Sequence, residues 1–222
     1  MRFLLLCLLL FSQGAHCQID AFTREGRKVI LYPDGFWRYA AVDTGRSYVS
    51  VVDSIIKRDT LKLNPGTFRK YAPSTRLVKS AKTTAAVWVN NDDWGIQKAK
   101  INESGEWNFI NRTFDCVGVM VTEKTTDLDY DDMIHFVLQN AMATAADAEV
   151  HNVEYRVVNG TKVMSMELSG TIRRLKFAGV TYVYMDENGI TQLFALSQKK
   201  RFAANRMVLE EFLNGFTLQA GR

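Results

Sequence analysis

The clearest hydrophobic pattern lies in the second half of the chain. Tyr130, Met133, Ile134, Val137, Leu138, Ala141 and Met142 recur at the i, i+3, i+4, i+7 spacing and predict one amphipathic helix of about four turns. Thr126 or Asp127 would cap it, with Asp129, Asp131 and Asp132 near its positive end. The period then changes to two. Val153, Tyr155 and Val157 alternate with polar residues, Asn159-Gly160 turns the chain, and Met164, Met166 and Leu168 alternate again. Val180, Tyr182 and Tyr184 follow, and Asp186-Glu187-Asn188-Gly189 turns the chain into Leu193–Leu196. Strands joined by such short turns form an antiparallel meander. A last helix places Ala204, Val208, Leu209, Phe212 and Leu213 on one face, with Gly215 as its stop. Upstream, Ala85–Val89, Trp107–Ile110 and Cys116–Val121 read as strands.

The fold class expected is α+β, with an antiparallel meander sheet packed against two amphipathic helices over residues 83–218. The meander would supply one apolar face through Tyr155, Val157, Met164, Met166, Val180, Tyr182, Tyr184 and Phe194. Residues 18–40 read as a β-hairpin module around Asp34-Gly35, with Val29, Leu31 and Tyr32 before the turn and Phe36, Trp37 and Tyr39 after it. Glu25-Gly26 adds a second turn upstream. Residues 41–82 read as a basic connector, with Lys57, Arg58, Lys62, Arg69, Lys70, Arg76, Lys79 and Lys82 against one acid, Asp59, from Lys57 onward. Within that connector, Tyr48–Ile56 fits one strand or a short helix.

The first residues suggest export. Arg2, the apolar run Phe3–Phe11 and the small or polar Ser12–Ala15 have the layout of a signal peptide over residues 1–17. Cleavage ahead of Gln18 is the favoured outcome, and a lipid on Cys17 is the alternative. The expected location is therefore periplasmic or secreted. Cys116 has no intrachain partner once Cys7 and Cys17 are set aside, so no disulfide framework is expected. Asn102, Asn111 and Asn159 open Asn-x-Ser/Thr triplets, which matter only in a eukaryotic secretory context. The net charge of +4 is far from that of a dedicated nucleic-acid binder.

Few residues suggest chemistry. Asp127, Asp129, Asp131 and Asp132 space like calcium ligands, yet Asp132 and Leu138 stand where an EF-type loop needs Gly and Glu. Cys116 with His135 or His151 lacks any local nucleophile motif, and neither His has zinc-site spacing. No catalytic residue, metal or cofactor is expected. A hydrolase acting on envelope material is the enzymatic alternative, through Asp92, Asp93, Glu103 and Glu106 beside Trp94 and Trp107. Candidate partner or anion contacts are Trp37, Arg69, Lys70, Arg173 and Arg174, the last two joined by Lys176 in a basic strand patch.

The segment Gly26–Trp37 resembles a short module, G-K-x-V-x-L-x-x-D-G-x-W, of many exported bacterial proteins. Trp94, the Tyr130–Met142 helix, Gly179–Tyr184 and Phe212-Leu213-Asn214-Gly215-Phe216 together resemble the PsbP-like (PsbP/DcrB-type) fold, over about the last three-fifths of the chain. The resemblance implies a non-catalytic accessory protein working through protein–protein contact in the cell envelope. A structural protein held at the membrane surface is a further alternative. In that case the basic connector would touch anionic lipid or cell-wall polymer. The long connector and the N-terminal hairpin depart from the family pattern.

Overall fold

The structure is a computed structural model and describes residues 19–22, 28–31, 37–39, 61–99, 105–124 and 130–219. The signal-like segment, Tyr48–Ile56, Glu103 and the Thr126–Asp129 cap lie outside these residues. The chain divides between Gly45 and Arg46 into two compact units.

The first unit holds β1 (Ile19–Phe22), β2 (Lys28–Leu31) and β3 (Trp37–Tyr39) in one antiparallel sheet of that order. The expected hairpin around Asp34-Gly35 is β2–β3, with Leu31 opposite Trp37. The third strand, β1, pairs on the other edge of β2, with Ile19 opposite Leu31.

The second unit is built on a seven-stranded antiparallel sheet. Its strands are β6 (Trp94–Lys98), β7 (Gly105–Asn111), β8 (Cys116–Glu123), β9 (Glu149–Val158), β10 (Thr161–Ile172), β11 (Leu175–Asp186) and β12 (Gly189–Gln198). They lie in the order β6-β7-β8-β12-β11-β10-β9. The meander β9–β12 is present, and α1 (Tyr130–Thr144) carries the chain from β8 to β9 across the sheet. Asn159 and Gly160 take φ of +48° and +86° at the β9–β10 turn, as a two-residue hairpin requires.

Both faces of this sheet are covered, which the single-face expectation did not allow for. Met133, Ile134, Val137 and Leu138 of α1 join Met164, Met166, Leu168, Val183 and Ile190 in one core. The opposite face meets α2 (Phe202–Leu213) and a small sheet of order β13-β5-β4. Its strands are β4 (Arg76–Lys79), β5 (Ala85–Val89) and β13 (Phe216–Leu218). Here Val87, Val89, Leu209, Phe212, Leu213 and Phe216 pack against Phe109, Met120, Val163, Val180, Tyr182 and Leu193. The expected inward residues therefore belong to two cores, Met164 and Met166 to one and Val180 and Tyr182 to the other. Val157 is 40% exposed, while its neighbour Arg156 is buried.

On α2, Ala204 is exposed and Asn205 is buried instead, because the helix starts at Phe202 and turns its stripe by one position. Gly215 ends that stretch for a reason of space. A Cβ there would lie 2.1 Å from the Trp88 carbonyl oxygen, and the Trp88 amide donates to the Gly215 carbonyl at 2.8 Å. Gly118 serves the same purpose under the helix, since a Cβ would come within 2.5 Å of Phe212 Cζ. Phe212 fills that space and meets Trp94 and Phe109 at ring-centroid distances of 4.6 and 5.0 Å.

Residues 61–82 are not a solvated connector, so the domain does not begin at Thr83. Residues 61–70 run as a strap along the open edge of β9, with parallel bridges Leu63–Tyr155 and Phe68–Val158. The Asn64 amide donates to the Tyr155 carbonyl at 2.8 Å, and the Tyr155 amide donates to the Lys62 carbonyl at 2.9 Å. An exposed sheet edge invites pairing, and the strap occupies it. Arg156 ties the strap down. Its guanidinium stacks on Phe68 at 4.5 Å and donates to Glu154 at 2.5 Å and to the Tyr182 hydroxyl at 3.2 Å.

Phe212→Ala should destabilise the protein by about 3–5 kcal/mol, because the cavity opens between Gly118, Trp94 and Phe109. The exposed Arg69→Ala should change stability by less than about 0.5 kcal/mol. Urea denaturation of both variants checks the pair, and equal shifts in midpoint would place the core elsewhere.

Candidate functional site

Four segments meet at one end of the small sheet. After β5, residues Asn90–Asp93 form a turn held by side chains: Asn90 Oδ1 accepts from the Asp92 amide at 3.2 Å, and Asn90 Nδ2 donates to Asp93 Oδ2 at 2.6 Å. After β7, Asn111 Oδ1 accepts from the amides of Thr113 and Phe114 at 3.0 and 2.8 Å and folds that loop. Helix α2 brings Val208, Glu211 and Phe212 to one side through their i, i+3, i+4 spacing. The strap ends in a turn closed by the Ser74 amide donating to the Tyr71 carbonyl at 2.9 Å.

Between them is a cleft of about 100 Å³, lined by Tyr71, Ser74, Trp88, Val89, Asn90, Asp93, Trp94, Asn111, Phe114, Val208, Glu211 and Phe212. Its floor is the buried pair Trp94 and Phe212, and its rim carries Tyr71 and Phe114, 40% and 45% exposed. Burial raises the Glu211 carboxyl above its ordinary value, and the charge of Asp93 raises it further. Among the described residues neither carboxylate has an ion-pair partner. Lys70 stands near without neutralising them: its Nζ donates to the Ser74 carbonyl at 2.9 Å and lies 5.5 Å from the centre of the Trp88 ring. Beside the cleft, across Trp94, is a wide open trough of about 640 Å³ whose edges include Arg76 and Arg112.

Within the second unit, the residues singled out from sequence do not converge. Trp37 lies in β3, in the other unit. Arg69 is exposed on the strap, and Lys70 stands at the cleft wall. Arg173 and Arg174 form the exposed turn between β10 and β11, with φ of +47° and +72°. Lys70 is fastened to Asn159 at the opposite end of β10 from that turn, so the two basic groups are separated by roughly 35 Å of strand. Of the carboxylates, Asp92 is exposed and Asp93 lines the cleft. Glu106 is a clasp between sheets, accepting from Ser80 Oγ at 2.7 Å, from the Ala81 amide at 2.8 Å and from Thr122 Oγ1. Among the described residues, Asp92, Asp93 and Glu106 share no common substrate position.

Cys116 is buried on the α2 side of the sheet, where burial and the charge of Asp115 push its thiol up to about 11 and a hydrogen bond with Asn205 pulls the other way. His151 lies apart on β9, with Ser169 Oγ at 3.3 Å and Glu149 at 3.4 Å. Among the described residues no group of three or more His, Cys, Asp or Glu could hold a metal ion.

Sequence reading missed Glu211, Trp88, Tyr71 and Phe114. One signal was available: Glu211 adjoins Phe212 and follows Val208 by three residues, which sets an acid on the flank of an apolar stripe.

No family model matches the sequence, and no curated protein matches it. Solved structures do match. The solution structure of cyanobacterial PsbP (CyanoP) from Synechocystis sp. PCC 6803 aligns at a TM-score of 0.51 and 15% identity, over 67% of this chain and 94% of that one. LpqN of Mycobacterium tuberculosis, described as involved in cell envelope biogenesis, aligns at a TM-score of 0.48 and 12% identity, over 65% and 90%. A Pseudomonas aeruginosa protein of unknown function aligns at 0.41 and 8%, over 66% and 98%. The likeness shows a PsbP-like fold, as the arrangement of the strands and helices suggested.

Two outcomes are expected. Glu211 has a folded-state carboxyl raised above the ordinary value of 4.5, so its cost is absent below that value and is fully present once pH exceeds the raised one. Stability is therefore lost as pH rises through that window, and Glu211→Gln should melt higher than the parent at pH 7 and alike at pH 3. Thermal melts at both values check this; a lower melting temperature at pH 7 would mean that the carboxylate is a stabilising group. Iodoacetamide at pH 8 should leave Cys116 unmodified in the folded chain, since only about one thiol in a thousand is ionised and it is buried. Peptide mass mapping with and without urea reads this directly.

Proposed function

We propose that this chain is an exported, non-catalytic binding or accessory protein that contacts an envelope protein through the cleft of Tyr71, Trp88, Phe114, Asp93 and Glu211. The observation that carries the reading is the rim. Tyr71 and Phe114 line the cleft and are exposed by 40% and 45%. Large apolar side chains exposed around a pocket mark contact surfaces in soluble domains. Catalysis on a small molecule enclosed in the cleft fits poorly. A volume of about 100 Å³ is well below the 300–1,000 Å³ usual for small-molecule sites.

Export rests on the signal-like first residues, with cleavage ahead of Gln18 or a lipid on Cys17. No described helix is long and apolar enough to cross a membrane. The Arg173-Arg174 turn, with the 65% exposed Leu175 beside it, is a second contact in this reading, toward an anionic lipid or cell-wall surface.

A photo-crosslinking residue placed at Phe114, and in a separate variant at the exposed Lys200, tests the cleft in the producing cells. A discrete adduct from position 114 with none from 200 is the expected result. Equal labelling from both positions, or none from 114, would overturn the reading.

A further inference from the structure

We propose that the cleft takes the cationic tip of a single lysine or arginine side chain presented by the protein partner. The inference rests on the reading of this cleft as a contact site and adds the chemistry of what enters it. Volume gives the first argument. About 100 Å³ holds a side-chain tip and excludes a sugar chain or a cofactor.

Charge gives the second argument. Asp93 and Glu211 bring two negative charges to one small space, and no described cation is paired with either. Like charges held together without a counterion disfavour the free protein, and a bound cation relieves them. The chain as a whole carries +4, so the cleft is a local reversal of sign that selects a basic group. Polar side chains that can accept from such a group also line it, with Asn90 and Ser74 beside the two acids.

The walls give the third argument. Trp88, Tyr71 and Phe114 bring aromatic rings to the lining, and such rings attract ammonium and guanidinium groups and cover the apolar stem behind them. Trp88 already holds one intramolecular cation, Lys70 Nζ, at 5.5 Å from its ring centre. Phosphate and carboxylate groups would meet like charge here; the arginines nearby, Arg76 and Arg112, line the separate open trough.

The test uses the full chain and three small probes: Nα-acetyl-lysine methylamide, its arginine counterpart and its norleucine counterpart, which keeps the apolar stem and lacks the charge. Binding is read from the NMR signals of the Trp88 indole N–H and the Gly215 amide. The lysine or arginine probe should give saturable shifts and the norleucine probe none. Glu211→Gln or Asp93→Asn should weaken the cationic probe by about tenfold, the loss of one charge-assisted contact. Added salt should weaken it too. Absence of saturable shifts with both cationic probes overturns the proposal. Equal binding of norleucine, unchanged in Glu211→Gln, also overturns it. That second outcome leaves the cleft a contact site for apolar groups, and a lost crosslink at Phe114 tests that reading separately.

Discussion

The second unit is organised around a buried positive charge. Arg156 is 7% exposed and comes from β9, yet its partners come from every layer on that side of the sheet. Glu154 lies two residues away on the same strand, Tyr182 is on β11, and Glu210 on α2 stands 3.7 Å from the guanidinium. Phe68 of the strap covers its face. Taking a guanidinium out of water is tolerable only when its donors and charge are met on several sides. That requirement fixes the separation of α2 from the sheet and holds the strap against β9. Burial drives the Tyr182 phenol up to about 12, against the pull of Arg156, so the hydroxyl keeps its proton and donates to Asn214 Oδ1 at 2.8 Å. Asn214 is the residue at which α2 ends, and Asn159 Nδ2 bonds the carbonyls of Asn214 and Phe216 at 2.8 and 2.7 Å. The polar network thus runs from the buried charge to the chain reversal that starts β13.

The cleft is a consequence of that anchoring. Once α2 ends at Leu213, the chain passes so close to β5 that only glycine fits at position 215. Phe212 is pressed onto Gly118 and under Trp94, which leaves Glu211 on the flank facing the Asn90–Asp93 turn. The strap adds the fourth wall through Tyr71 and Ser74. The two loops and the strap turn are held by hydrogen bonds of Asn90, Asn111, Ser74 and Tyr71, and the floor by the Trp94–Phe212 contact, so the cleft is shaped within the folded chain before anything enters it. A binding surface benefits from this arrangement, because a pre-formed pocket loses little freedom when it is filled.

Much of this fold could be read from period and punctuation. The helix at Tyr130–Thr144 and the turns at Asn159-Gly160 and Asp186–Gly189 stand where spacing and turn residues placed them. The failures share a physical cause. Reading Val153, Tyr155 and Val157 as the inward face assumed a sheet with one dry side, whereas both sides of β9 meet neighbours and the inward side chain near its end is a charge, Arg156. The strap was misread because composition reports solvation. Lys62, Arg69 and Lys70 do face water or polar groups, while Leu61 and Phe68 between them reach the two cores. The three-residue β13 is too short for any period to register, and its position follows from Gly215. The cleft was hidden for the same reason that it is a cleft: its walls come from residues 71, 88, 114 and 211, which only the folded chain brings together.

The electrostatics of two adjacent acids of α2 stand in contrast. At Glu210 the acid is matched: Arg206 bonds it at 3.2 Å and reaches Glu167 at 2.6 Å, and Arg156 stands behind it. At the next residue, Glu211, a half-buried acid faces another acid with no counterion among the described residues. Glu210 and Glu211 follow Arg206 by four and five residues on the same helix, so position along the chain does not account for the difference. What separates them is which side of the helix each faces: Glu210 toward the interior network, Glu211 toward the open cleft. A surface charge left unpaired beside a like charge contributes nothing to folding, and aromatic walls that restrict water around it raise its cost. The arrangement becomes favourable when a cation enters from outside, and the exposed rings of Tyr71 and Phe114 then gain a stem to cover.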